Sequence, residues 1–182
     1  KVKNRFFRDM VKEGIEVYPF GEVKFAALTR RVNYRNHRKL VIVDGQLGYI
    51  GGMNIAERYY KGFSWGGWRD THIRIEGMAV NALQTSFFVD WHYASRMLVD
   101  EPVYFPKVER KGDTDMQIVT SYPMGEWKTI MQGLLQVISQ SRRYLYIQTP
   151  YFMPTEPILM ALRNAALAGV DVRIMVPLRG DS

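Results

Sequence analysis

Residues 38–52 read as a β-hairpin, and no other stretch restricts the possible folds of this chain as much. Residues 38–43 form a β-branched run that is apolar at both parities, Asp44-Gly45 is a strong two-residue hairpin signal, and residues 47–50 return. The run predicts a strand buried on both faces. Side chains two apart on a strand share a face, so His37 and Lys39 are expected side by side, with Asp44 at the opposite parity and at the turn. Gly51-Gly52, after the returning strand, lets a ligand approach the backbone closely, and Asn54 adds a hydrogen-bonding amide.

Alternating elements surround the hairpin. An opening helix ends near Gly14, a strand is expected over residues 15–20, a helical turn over 54–60 and another strand over 71–76. The longest helix, residues 78–98, carries an apolar stripe of Val80, Leu83, Phe87, Trp91, Ala94 and Leu98. Residues 100–115, with Pro102, Pro106 and Gly112, read as a linker. Beyond it come a strand over 116–122 and a helix over 126–141 with Ile130, Leu134, Val137 and Ile138 inward. A buried strand over 144–148 follows, then a helix capped by Thr155 and ended by Gly169. The pattern predicts an α/β fold, a mixed β-sheet flanked by helices.

The 182 residues are 47% hydrophobic and 13% aromatic, enough for a packed core. Zero cysteines exclude disulfides and thiolate zinc sites, and three scattered histidines (His37, His72, His92) argue against any metal centre. No apolar run reaches the roughly 18 residues of a membrane span. The formal charge of +7 is unevenly placed: residues 23–43 hold Lys24, Arg30, Arg31, Arg35, Arg38 and Lys39 and no acid. The approach to His37 is therefore expected to attract phosphate groups or an anionic bilayer, with Arg35 and Arg38 as candidate phosphate-binding cations. Nucleic acid would feel the same field and is the less favoured partner.

The chemistry fits these residue types. A neutral imidazole can attack phosphorus to give a phosphoramidate, while Lys39 and Asn54 stabilise charge on the non-bridging oxygens; this route requires no metal or cofactor. His37 and Lys39 alone would suit an ordinary exposed strand edge. The full spacing His37, Lys39, Asp44, Gly51, Gly52, Asn54 shifts the weight toward a site.

At those six positions the sequence resembles the phospholipase D superfamily, whose His-x-Lys-x(4)-Asp-x(6)-Gly-[Gly/Ser]-x-Asn signature it matches. Residues 33–39, 68–72 and 149–154 resemble its bacterial cardiolipin synthase branch, and the resemblance covers nearly the whole chain. It implies a phospholipase D-type fold and phosphatidyl transfer that makes cardiolipin from two phosphatidylglycerols through a phosphohistidine, releasing glycerol. Proteins of that branch carry two such motifs, whereas neither His72 nor His92 has a Lys two residues later. Residues 1–105 are thus expected to be the later part of one half and 113–182 the opening part of a second, two incomplete pseudo-symmetric lobes. A faint likeness between residues 10–17 and 165–172 agrees.

The partners so implied are anionic phospholipid, a membrane surface and the missing second half of the same polypeptide. The implied location is the bacterial cell membrane, with an anchor expected upstream. The resemblance also offers Asp70 as the carboxylate that orients the imidazole, with Glu57 competing, and Tyr151 as a contact near the site, although a satisfied core tyrosine suits it equally. His37 is the favoured nucleophile, the acid role staying open; His72 and His92 are assigned to packing or surface hydrogen bonds. Two other classes stay in view: a hydrolase or nuclease completed by dimerisation, and a catalytically silent membrane-binding fragment.

Overall fold

A computed structural model describes residues 3–21, 36–64, 66–122 and 125–178. The chain divides into two compact units, Lys1–Ile118 and Val119–Ser182.

The first unit contains α1 (Asn4–Lys12), β1 (Leu40–Val43), β2 (Leu47–Gly51), α2 (Arg58–Lys61), β3 (His72–Glu76) and α3 (Ala79–Ser95). Its three strands form an antiparallel sheet in the order β1-β2-β3. Asp44 and Gly45 both have positive φ, 54° and 65°, and the Gln46 N–H donates to the Val43 carbonyl at 3.0 Å. Such a primed turn matches the twist of paired strands. Val43 pairs with Leu47, so the loop holds three residues, one more than expected.

Helix α3 covers one face of this sheet. Val80, Leu83 and Ile75 are buried together, with Leu40, Ile42 and Ile50 packed against them. The helix comes close at Gly48, where a Cβ would stand 2.8 Å from Leu83 Cδ1. Among the described residues only one face is covered, so β1 alternates: Leu40 and Ile42 are half-buried while Val41 and Val43 are exposed, in place of the two buried faces the sequence suggested. The helix also outruns the short sheet, so burial in its stripe fades after Leu83. Further along, aromatic pairs take over, Tyr18 with Trp91 at 5.0 Å and Phe88 with Tyr104 at 5.4 Å. Leu98 lies past the helix end and is exposed. Residues 15–20 and 116–122 form no ladder, so the strands expected there are absent. Tyr18, Phe20 and Ile118 contribute by packing instead.

The second unit contains α4 (Thr129–Gln140), β4 (Tyr144–Gln148), α5 (Glu156–Leu167) and β5 (Asp171–Met175). Strands β4 and β5 are parallel, with α5 as their crossover, the usual connection for such a pair. Ile138, Leu162, Ala165 and Val170 form its core, with Leu145 and Ile147 packed on them. Among the described residues one covered face again decides burial. Tyr144 and Tyr146 point outward from β4, and Ile130, Leu134 and Val137 stand about half exposed on α4 rather than inward. Thr155 occupies the N-cap of α5 but makes no capping bond; its hydroxyl lies 3.7 Å from Met131 Sδ.

Candidate active site at one end of the antiparallel sheet

Strand register brings three segments together. Leu40, the first residue of β1, pairs with Ile50, and Gly51 pairs with His72, so residues 36–39, 51–54 and 70–71 all lie at the same end of the sheet. Asp44 does not join them. It sits at the opposite end, a four-residue strand or about 13 Å away, where its backbone shapes the turn.

His37 is exposed and precedes the ladder; β1 begins at Leu40, which corrects the expectation that His37 and Lys39 lie on a regular strand. Local hydrogen bonds do the holding. The Arg38 N–H donates to Asn36 Oδ1 at 2.9 Å, and the Lys39 ammonium donates to the His37 carbonyl at 2.7 Å. An ammonium carries three hydrogens, so Lys39 keeps donors for an anion. The Arg38 guanidinium, expected on phosphate, is directed instead to Asp90 of α3, with Nη1 2.6 Å from each carboxylate oxygen. Asn36 Nδ2 donates to the same carboxylate at 2.8 Å.

The two glycines are required by close approach. A Cβ on Gly51 would lie 2.7 Å from His72 Cα, and one on Gly52 would lie 3.0 Å from Asp70 Oδ2 and nearer still to Oδ1. Asp70 therefore stands against the Gly-Gly backbone, its Oδ1 accepting the Thr71 N–H at 2.7 Å. The Gly52 N–H in turn donates to the Thr71 carbonyl at 3.1 Å. His72 Nδ1 is buried and finds no partner among the described residues. The Asn54 amide donates one hydrogen to the Tyr59 hydroxyl at 2.8 Å, leaving its other hydrogen for a ligand. Glu57, the alternative to Asp70, is exposed and accepts from Lys61 at 3.1 Å.

An aromatic cluster adjoins Asn54 and Asp70. Tyr59 and Trp68 meet edge to face at 5.2 Å, Arg58 lies over both rings, and Trp68 Nε1 donates weakly to Asp70 Oδ2 at 3.5 Å. Burial pushes the Tyr59 phenol up, but the Asn54 amide and the Arg58 guanidinium outweigh it and hold the group below its ordinary range. Of the other candidates, Arg35 lies outside the described residues. Tyr151 belongs to the second unit, where it is exposed after β4 and its N–H donates to Thr149 Oγ1 at 3.3 Å. His92 is exposed in the last turn of α3. A cleft of about 820 Å³ between β3, the start of α3 and residues 110–116 includes none of the candidates. Sequence reasoning missed Asp90 and Tyr59: Asp90 is 52 residues from Arg38, and nothing in the local pattern links them.

Register sets the segments that carry His37, Lys39, Gly51-Gly52 and Asp70 at one end of the sheet, and comparison with other proteins shows what such a chain is similar to. A family model described as the phospholipase D-like domain of cardiolipin synthase matches residues 134–181. Over residues 134–181 the chain is thus similar to the phospholipase D-like family. In addition, 98% of the chain aligns with a cardiolipin synthase of Listeria welshimeri at 47% identity, and 99% with the major cardiolipin synthase of Bacillus subtilis at 46%. A cardiolipin synthase of Geobacillus thermodenitrificans is 38% identical over the full chain. The chain spans about 38% of the length of the first two relatives and 37% of the third.

Proposed function

We propose that these residues supply one half of the active site of a phosphatidyltransferase that makes cardiolipin from two phosphatidylglycerol molecules. The observation that carries it is the gathering of His37, Lys39, Gly51-Gly52 and Asp70 at one sheet end, in a chain whose relatives are named cardiolipin synthases. His37 attacks the phosphorus of one phosphatidylglycerol, forming a P–N bond as the P–O bond to glycerol breaks. A histidine from a second motif, elsewhere in the polypeptide, protonates the departing glycerol oxygen. The hydroxyl of the second phosphatidylglycerol then loses its proton to that histidine and displaces His37, giving cardiolipin and restoring both imidazoles. Lys39 and the free hydrogen of the Asn54 amide stabilise the charge on the non-bridging oxygens. Asp70 orients the imidazole and favours its cationic form.

The basic approach including Arg35 draws the anionic headgroup. The enzyme works at the bacterial cell membrane, held by an anchor outside these residues; among the described residues no helix is long and apolar enough to cross a bilayer. The test is the intact protein with phosphatidylglycerol vesicles, reading cardiolipin and free glycerol together. One glycerol per cardiolipin, lost in His37→Ala, is expected. Phosphatidic acid in place of cardiolipin would point to a hydrolase, and cleavage of DNA without lipid turnover to a nuclease.

A further inference from the structure

We propose that Asp90 is a positioning residue for His37: its carboxylate, reaching from α3, clamps the residues on both sides of the nucleophile. This rests on the reading of His37 as the attacking group. Asp90 accepts from Asn36 Nδ2 at 2.8 Å and from Arg38 Nη1 at 2.6 Å, while Asn36 Oδ1 accepts the Arg38 N–H at 2.9 Å. These bonds close a ring around His37. The Lys39 ammonium holds the His37 carbonyl as well, at 2.7 Å, so the chain is tied on both sides of His37 and at its own carbonyl while His37 stays exposed.

The clamp matters because His37 lies before β1, where no ladder bond defines its place. A nucleophile displaced by about 1 Å loses on the order of 100-fold in rate. The anchor is on the rigid side: α3 is a 17-residue helix whose first turns form the core of the unit. Side-chain exposure is 23% for Arg38 and 12% for Asp90, so solvent screens this pair far less than the surface pairs elsewhere in the unit. A site on a loop gains precision when its neighbours are locked to a packed element.

The experiment uses the intact protein, with phosphatidylglycerol vesicles as substrate and kcat and KM expressed per folded molecule. Asp90→Asn should lower kcat about 10- to 100-fold, with KM within about twofold, because binding is kept while the reacting geometry is lost. Asp90→Glu should give a kcat between that of Asp90→Asn and that of the unsubstituted protein. Asn36→Ala keeps the Arg38–Asp90 pair and the fold, and should lower kcat by about three- to tenfold in the same sense. If Asp90→Asn fails to fold, Asn36→Ala decides the matter. Unchanged kcat in folded Asp90→Asn or in Asn36→Ala, or a change confined to KM, beside an inactive His37→Ala, overturns the clamp and leaves the function standing. Ordinary turnover by His37→Ala overturns the nucleophile assignment and the clamp with it.

Discussion

On the proposed mechanism His37, Lys39 and the two glycines divide the work at the scale of single residues, and each division has its own test. With His37→Ala the covalent centre is removed, so lipid transfer should be abolished; cardiolipin formation by folded protein would refute the assignment. Lys39→Ala removes charge stabilisation, and kcat should fall by about 100-fold or more. The glycines differ in what stands against them. A Cβ at Gly51 meets backbone, the His72 Cα at 2.7 Å, whereas one at Gly52 meets the Asp70 carboxylate. Gly51→Ala should therefore cost about 1–3 kcal/mol of stability, and Gly52→Ala should spare stability while lowering activity by displacing Asp70. Denaturant midpoints measured beside kcat separate the two; equal behaviour would show that the close approach to Asp70 has no catalytic meaning. The positions of these residues were legible from spacing. The partners of Arg38 and Asn54 were not, because Asp90 lies 52 residues away and the Tyr59 hydroxyl is met only once α2 turns back.

At the scale of elements, the hairpin and α3 form one packing unit. Leu83 is 1% exposed and reaches the sheet through the gap left by Gly48. Leu83→Ala should destabilise the unit by about 2–5 kcal/mol, and Gly48→Ala, whose Cβ would press within 2.8 Å of Leu83 Cδ1, by about 1–3 kcal/mol. Urea unfolding followed by tryptophan fluorescence measures both, and a stable Gly48→Ala protein would mean that α3 does not sit this close. The helices and central strands were legible from periodicity and from Gly and Pro placement. The strands expected over residues 15–20 and 116–122 were not realised, since alternation reports a half-buried extended segment and cannot supply the neighbour that makes a ladder. Burial was overestimated on β1, β4 and α4 for a related reason. An apolar run says what prefers to be covered, while the layers present decide what is.

For the whole molecule, the proposed two-motif mechanism makes activity depend on motif number. One His-x-Lys pair is present in 182 residues, so the chain purified by itself should make little or no cardiolipin from phosphatidylglycerol vesicles; robust synthesis by a monomer of these residues would refute the two-motif mechanism. The sequence by itself determined the α/β class, the hairpin and the six motif positions, because strand period, turn chemistry and residue spacing are local properties. Only the tertiary structure decided that residues 70–71 share the sheet end of His37 and that Asp70 lies against Gly52. It also decided that Arg38 is held by Asp90 rather than aimed at solvent. Those are relations between segments distant in the chain, set by strand register and by the way α3 packs across the sheet, and a one-dimensional pattern carries neither.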